Sequence, residues 1–196
     1  MRISKQWIRS EIVPLIIFLA LMTAVRSSLA DHYYVPTGSM EYSLVPGDRV
    51  FVDKTAYGLR IPLTKIDILA ERSPERGDIA VFDSPVDGTR LIKRIVAVGG
   101  DTVSLNRGRL SINGEQMGNE FSKTFGRREA LLNLLDGGAP DISTMTIEAG
   151  MVLALDDHRG NSLDRRYFAL IPEKELIGRA TRAYFRRGDG FVWRQL

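Results

Sequence analysis

A serine in a short glycine-containing loop is the first group in the chain that could do chemistry. Residues 36–40 read PTGSM, so the Ser39 hydroxyl follows a glycine at which a substrate backbone can approach closely. The Ser39 N–H in such a loop can point at a developing oxyanion. Gly-Ser loops are also ordinary turns. The segment therefore predicts a nucleophile only if a base lies near it.

The second candidate is Lys93, within the apolar run 90–98 (RLIKRIVAV). With the period of two of a strand, Lys93 shares a face with Leu91 and Ile95, while Arg94 lies on the opposite face. Of the two cations only a lysine can lose its proton, and lowering a lysine pKa from about 10.4 to about 7–8 takes roughly 4 kcal/mol of desolvation. A buried, neutral Lys93 would be a base; an exposed one would form a surface ion pair.

A third polar segment, residues 156–166 (DDHRGNSLDRR), follows the apolar run 151–155. It is dense in donors and acceptors that can hold another side chain in position. Two other interpretations stay open: His158 as the base of a Ser-His-Asp triad, and a metal site at Asp156 and Asp157. A solvated charged loop would have the same composition.

The elements that must position these groups are predicted to be mostly strands. Glycine followed by aspartate precedes four β-rich runs, at 47–48, 77–78, 100–101 and 188–189. Glycine supplies the positive φ of a tight turn, and the aspartate side chain caps it. Alternating patterns predict further strands at 90–98, 109–113, 151–155 and 179–185. One helix outside the N-terminal segment is predicted at 127–136 (RREALLNLLD), ended by two glycines.

The N-terminal segment is apolar enough for a membrane. Residues 12–25 carry no charge, and the stretch 7–26 would span about 30 Å as a helix. Because Arg2, Lys5 and Arg9 precede it, the positive-inside rule predicts that the rest of the chain is exported. A cleaved signal peptide is the alternative, since SLA at 28–30 resembles a cleavage site and the segment would then be trimmed near Ala30.

Composition narrows the function classes. The chain has 196 residues with 44% hydrophobic and 26% charged residues and no cysteine, which excludes a disordered chain, a disulfide framework and cysteine-based metal or redox sites. The net charge of +3 comes from the first 26 residues, so no nucleic-acid partner is expected.

Residues 191–193 (FVW), near several arginines, could rest on lipid or form a last core strand.

Together the segments resemble bacterial type I signal peptidase, a Ser/Lys endopeptidase that removes signal peptides from exported proteins. The resemblance runs from the N-terminal segment to about residue 184. Its motifs are TGSM at 37–40 with PGD at 46–48, RGDIAVF at 76–82, KRIV at 93–96 with GD at 100–101, and NSLD at 161–164 with Arg166.

The resemblance implies a role for each matching residue. Ser39 would be the nucleophile and Lys93 the general base, acting through an acyl-enzyme, with the Ser39 N–H and the Thr37 hydroxyl as the oxyanion hole. Ser162 would orient the lysine amine, supported by an ion pair of Asp164 and Arg166. Shallow pockets for the small residues of an Ala-x-Ala-like cleavage site would be lined by Val35, Met40, Leu44, Leu91 and Ile92.

The implied fold is mostly β: two coiled antiparallel sheets forming the catalytic core, with a small cap insertion, after one N-terminal transmembrane helix. The expected division is a cytoplasmic stub, anchor and connector at 1–30, the catalytic core at 31–101 and 151–196, and the cap at 102–150. Expected partners are preprotein signal peptides and membrane lipid, without cofactor or metal. The expected location is the bacterial inner (plasma) membrane, with the N-terminus cytoplasmic and the catalytic domain periplasmic or extracytoplasmic.

Five positions depart from the pattern of that family. Thr37 replaces the commoner serine, and Tyr42 and Gly99 replace prolines. Asp156 replaces a glycine, and His158 replaces an asparagine. They leave room for a specialised paralogue that processes one substrate of a secretion or conjugation system. A soluble Ser/Lys self-cleaving regulator fits the exported topology poorly. A non-catalytic membrane-anchored β domain that binds partner proteins stays open, and would leave Lys93 exposed or far from Ser39.

Overall fold

The computed structural model describes residues 8–60, 67–69, 72–106, 109–117, 122–125, 128–131, 141–158 and 168–196. A short π-helical turn, Ile8–Ile12, leads into helix α1, Val13–Ser28. The described strands are β1 (Ala30–Tyr34), β2 (Asp48–Asp53), β3 (Leu59–Arg60), β4 (Asp67–Leu69), β5 (Ile79–Asp83), β6 (Arg90–Val98), β7 (Thr102–Asn106), β8 (Arg109–Ile112), β9 (Glu115–Gln116), β10 (Ser122–Phe125), β11 (Arg128–Leu131), β12 (Ile142–Thr146), β13 (Met151–Leu155), β14 (Phe168–Pro172), β15 (Leu176–Arg186) and β16 (Gly190–Gln195). One 3-10 turn, Glu173–Glu175, precedes β15.

The strands form curled antiparallel sheets, which confirms the predicted fold class. The larger sheet has the order β1-β2-β15-β5-β6-β13-β14, with β16 also paired to β15. The smaller sheet has the order β12-β7-β8-β9 and is built from the stretch between β6 and β13. Two further pairs, β3-β4 and β10-β11, are described. The predicted strands at 90–98 and 151–155 coincide with β6 and β13, which lie side by side in the larger sheet.

The predicted Gly-Asp turns are present at the strand entrances. Gly47, Gly77, Gly100 and Gly188 have φ values of 96°, 91°, 91° and 99°, a region that favours glycine. In the first three turns the aspartate carboxylate accepts a hydrogen bond from the backbone N–H three residues earlier, at 2.9–3.1 Å. Each of these aspartates also pairs with an arginine from another segment: Asp48 with Arg186, Asp78 with Arg179, Asp101 with Arg76. The turns therefore connect distant parts of the sheet.

Three clusters of buried apolar side chains form the core. One lies between the two sheets and joins β6 and β13 to β7, β8 and β12. A second lies between the loop after β1 and the strands β2, β5 and β15. The third contains Ala80, Phe82, Ile95, Val152 and Ala154, from three adjacent strands of the larger sheet. Strand β6 contributes to all three clusters, so side chains on both of its faces are closely packed.

The predicted helix at 127–136 is wrong where the structure describes it. Residues Arg128–Leu131 form β11, paired antiparallel with Ser122–Phe125. Position 127 and positions 132–136 lie outside the described residues. The residues there have a high helix propensity, but this local preference is weak, and antiparallel pairing with the neighbouring strand outweighs it.

The N-terminal helix is long and apolar enough to cross a membrane, judged by length and composition. The candidate span is Arg9–Ser28, and its most apolar 18-residue window has a mean hydropathy of 1.6 with no buried residue. Its large apolar side chains, Leu15 to Met22, are about half exposed. Exposed apolar surface of this extent is stable only against lipid or another apolar partner, which is compatible with membrane association.

Candidate active site

Ser39 lies on the loop between β1 and β2, and both ends of that loop are hydrogen-bonded together. The Val35 N–H donates to the Asp48 carbonyl and the Gly47 N–H to the Val35 carbonyl, each at 2.9 Å. Met40 is fully buried within the loop. The Ser39 side chain is half-buried, so the loop presents it at the surface of the core.

Lys93 lies on β6, opposite Ala80 of β5. Only 8% of its surface is exposed, and Arg94, on the other face of the strand, is 4% exposed. The sequence required each of these cations to be paired, neutral or turned to solvent, and the structure pairs both. Arg94 bonds Asp157 at 2.8–3.2 Å, the Gly77 carbonyl at 2.8 Å and the Ser43 hydroxyl at 2.9 Å.

The partner of Lys93 is Asp156, which follows β13. The Lys93 Nζ lies 2.5 Å from both carboxylate oxygens of Asp156, and the two side chains are 10% and 8% exposed. The register explains the meeting, because Leu155 is opposite Arg94 in the antiparallel pair and Asp156 comes next. The pair is therefore a buried ion pair.

Asp156 also connects Lys93 to the serine loop. The Ser39 side chain lies close enough to this carboxylate to lower the pKa of Asp156. The backbone holds the same two segments together, since the His158 N–H donates to the Ser39 carbonyl at 2.9 Å. Ser39, Lys93 and Asp156, which are far apart in the chain, thus form one contiguous cluster.

Burial has the largest effect on the ionisation of Asp156 and raises its pKa above the ordinary value of 3.8. The positive charge of Lys93 and the hydrogen bonds from Lys93 and Ser39 act in the opposite direction, and the neighbouring Asp157 adds to the rise. The net direction is upward. This carboxyl group therefore takes up a proton more readily than an exposed aspartate does.

The surroundings of Lys93 differ from the sequence expectation in one respect. Burial of the lysine agrees with the pattern, but an apolar environment that leaves the amine uncharged does not, because a carboxylate contacts it. The responsible residue is one of the departures from the family pattern, at a position where glycine is usual. The sequence indicated that Asp156 directly follows a predicted strand. Predicting its contact with Lys93 also required the register of β13 against β6.

The other predicted site residues fall into three groups. Thr37 is exposed beside Ser39. Leu91 and Ile92 are half-buried at the start of β6, whereas Val35, Met40 and Leu44 are at most 2% exposed and pack in the core beneath the loop. Ser162, Asp164 and Arg166 lie outside the described residues.

The triad and metal interpretations find little support in the geometry. The His158 Nδ1 lies 3.1 Å from the Gly38 carbonyl oxygen and 3.6 Å from the Glu41 carboxylate, so this nitrogen is turned to the loop backbone. Asp156 and Asp157 each contact a cationic side chain. Within the described part of the chain, no group of three or more His, Asp or Glu side chains is placed to hold a metal ion.

Comparison with known proteins assigns the family. Residues 5–185 match the family model described as signal peptidase, peptidase S26. The chain belongs to this family. Family membership supports signal peptide cleavage by an S26 peptidase, with preprotein signal peptides as substrates, and it confirms the resemblance to type I signal peptidase.

Individual relatives carry the same description. The chain is 30% identical to signal peptidase I of Pseudomonas aeruginosa in an alignment 191 positions long, which covers 83% of this chain and 67% of that protein. It is 28% identical to probable signal peptidase I-1 of Synechocystis, covering 92% of this chain and 84% of that protein. A solved signal peptidase I from Enterococcus faecalis matches 56% of this chain and 98% of its own, with 28% identity and a TM-score of 0.43.

Proposed function

We propose that the chain is a membrane-bound serine endopeptidase that cleaves signal peptides from preproteins after small-x-small, Ala-x-Ala-like sites. Ser39 is the nucleophile, and Lys93 takes part in the proton transfer from the Ser39 hydroxyl group. The observation that carries the proposal is the cluster in which a half-buried loop hydroxyl and a buried lysine amine contact the same carboxylate. A family of signal peptidases supplies the substrate class.

The proposed reaction passes through an acyl-enzyme. The Ser39 Oγ attacks the carbonyl carbon of the scissile bond, and the oxyanion accepts hydrogen bonds from the Ser39 N–H and the Thr37 hydroxyl. The amine of the mature chain leaves, and water then hydrolyses the ester. Half-buried Leu91 and Ile92 offer apolar surface for the small residues of the cleavage site, with Val35, Met40 and Leu44 as the packed layer beneath.

The proposed location is the bacterial inner membrane, with α1 as a single-pass anchor. The N-terminus is cytoplasmic and the catalytic domain is extracytoplasmic, as the positive-inside rule requires. Phe191 and Trp193 on β16 are 73% and 63% exposed and stack on each other, which favours contact with lipid over a place in the core. The division into an anchor (1–30), a core (31–101 and 151–196) and a cap (102–150) is part of the proposal.

Replacing Ser39 or Lys93 by alanine tests the function. Each variant should lose processing of an Ala-x-Ala preprotein by a factor on the order of 10⁴ or more, because removing a nucleophile or its base leaves only binding and the oxyanion hole. New N-termini from a panel of preproteins, measured by mass spectrometry, give the cleavage sites. A broad panel cut by the wild type indicates a general peptidase, and a single substrate indicates the specialised paralogue.

Matched controls are available in the same chain. Ser104, on β7 of the smaller sheet, and Lys174, exposed before β15, should tolerate alanine with unchanged processing. Retained cleavage by folded Ser39→Ala would contradict the role of Ser39 as nucleophile. If the folded wild type cleaves no preprotein of the panel, the non-catalytic partner-binding domain is the better explanation.

A further inference from the structure

The described contacts of the Lys93 amine both go to one residue that the family pattern does not supply. Asp156 stands where glycine is usual, and its carboxylate lies between the lysine and the serine loop. Each carboxylate oxygen is 2.5 Å from the Lys93 Nζ, and the Ser39 side chain lies close enough to the carboxylate to affect its pKa. Both members of the ion pair are about nine-tenths buried. A carboxylate in this place contacts the reacting hydroxyl group itself.

The ion pair changes which atom can accept the serine proton. An ammonium group has three N–H donors and no lone pair, so a lysine engaged as a cation cannot take up a further proton. A carboxylate has only acceptor sites, and the one at Asp156 lies beside the Ser39 side chain. A lone neutral amine is the alternative base, but the contact with Asp156 works against that state.

We infer that Asp156 is a catalytic residue of this enzyme and that the Lys93–Asp156 pair, rather than a lone lysine, moves the proton of Ser39. This inference rests on the proposed function and specifies its proton transfers. Its test must therefore separate a failure at Asp156 from a failure of the peptidase itself.

The proton transfers balance in both half-reactions. As the Ser39 Oγ bonds the scissile carbonyl carbon, its proton passes to the Asp156 carboxylate, and the carbonyl π electrons move to the oxyanion. When the tetrahedral intermediate collapses, the C–N bond breaks and the leaving amine takes a proton from the Lys93 ammonium. The proton on Asp156 then moves to the neutral Lys93 amine and restores the ion pair. Water repeats the sequence on the ester and releases the Ser39 hydroxyl.

The charged surroundings of Asp156 give a pH expectation. The titratable and charged groups near it, from β6, from its own loop and from the serine loop, are Lys93, Arg94, Asp157, His158 and Glu41. Arg94 bonds Asp157, and the His158 Nδ1 is turned to Gly38 and Glu41, which leaves Lys93 in direct contact with Asp156. The reactive state is the carboxylate beside the ammonium. Activity should fall on the acid side as Asp156 is protonated.

The wild-type profile of kcat/KM against pH should therefore have an acid limb that belongs to Asp156. Because burial raises the pKa of Asp156, this limb should lie above pH 3.8. The profile should level off above the limb, since the carboxylate is then fully ionised. A profile of the folded enzyme that keeps rising into the alkaline range belongs to a base other than a carboxylate and would overturn the inference.

Two variants, Asp156→Asn and Asp156→Gly, test the residue directly, the second restoring the residue usual in the family. At neutral pH both should cleave an Ala-x-Ala peptide with kcat/KM lowered on the order of 10²–10⁴-fold, as for a lost general base. Neither variant should show the acid limb of the wild-type profile. If both cleave with the wild-type rate and pH profile, Asp156 has no catalytic role.

Two controls keep the outcomes distinct. Asp157→Asn removes the adjacent buried carboxylate, whose partner is Arg94; it should weaken the fold and keep the acid limb, displaced to lower pH because the Asp157 charge no longer raises the pKa of Asp156. Ser39→Ala reports on the peptidase itself. If Ser39→Ala is inactive while both Asp156 variants match the wild type, only the role of Asp156 is lost; if Ser39→Ala cleaves, the proposed function is lost. Thermal unfolding of each variant identifies losses caused by misfolding, and the wild-type profile decides if neither Asp156 variant folds.

Discussion

At the scale of single residues, the site contains two buried ion pairs on opposite faces of β6. Lys93 with Asp156 lies next to the serine, while Arg94 with Asp157 has the Gly77 carbonyl and the Ser43 hydroxyl as further partners. Arginine keeps its charge and satisfies several acceptors in a fixed geometry, which suits a structural role. A lysine–carboxylate pair exchanges protons more easily. The two adjacent cation–aspartate pairs are therefore assigned different functions.

Removal of the Asp157 carboxylate should destabilise the protein strongly. In Asp157→Asn the Arg94 guanidinium, 5% exposed, loses its buried counter-charge, and breaking such a pair costs about 3–5 kcal/mol of the free energy of unfolding. Denaturant unfolding monitored by circular dichroism measures the loss. The matched control is Asp83→Asn, in an exposed pair with Arg90, which should change stability by only about 0–1 kcal/mol. Equal effects at the two sites would contradict the structural role of the buried pair.

At the scale of elements, the Gly-Asp turns do more than reverse the chain. Asp101 follows Gly100, accepts the Val98 N–H at 2.9 Å, and pairs with Arg76 from the segment before β5. Burial alone would raise its pKa, but the hydrogen bonds from Arg76, the Val98 N–H and Asn113 outweigh burial and hold the pKa of Asp101 below 3.8. The turn thus fastens the start of the smaller sheet to the larger one.

The lowered pKa of Asp101 makes its contribution to stability depend on pH. A carboxylate with a depressed pKa in the folded state contributes stability above its unfolded pKa, near 3.8, and loses it as pH falls through the folded value. Asp101→Asn should therefore cost about 1.5–3 kcal/mol at pH 7, and the difference from wild type should vanish below pH 3.8. Unfolding curves at several pH values measure it. A difference that stays constant into the acid range would refute the linkage.

At the scale of the whole molecule, helix α1 and the larger sheet are separated by a single residue. Helix α1 ends at Ser28 and β1 begins at Ala30. The Lys54 ammonium lies 3.1 Å from the Arg26 carbonyl and 3.4 Å from the Asp31 carboxylate, so the residue that follows β2 caps the end of the helix. Ser39 follows five residues after β1 ends. With α1 in a membrane, the site would be held close to the bilayer surface, where a signal peptide emerges.

Loosening that junction should affect membrane-bound substrates selectively. A flexible Gly/Ser insertion of twelve residues after Ser28 would let the sheet move roughly 20 Å from the helix. Cleavage of a preprotein in vesicles should fall by about tenfold, because the effective concentration of the site at the membrane decreases. Cleavage of a short soluble peptide, assayed in parallel, should be unchanged. An equal loss with both substrates would indicate damage to the fold and contradict the role of the short junction.

The sequence alone determined much of this protein, because its signals are local. The Gly-Asp turns need positive φ at the glycine, the period of two set the strands at 90–98 and 151–155, and an uncharged apolar run marked the anchor. The motifs around Ser39 and Lys93 identified the family. Each of these features depends on a few consecutive residues and the conformations they allow.

Only the tertiary structure decided what surrounds the lysine. The pairing of β6 with β13, and the register that sets Leu155 against Arg94, bring Asp156 onto the Lys93 amine. Pairing between strands also overrode helix propensity at Arg128–Leu131. The physical reason is the same in both cases: strand partners are chosen by packing over long sequence separations, and no local pattern contains that information.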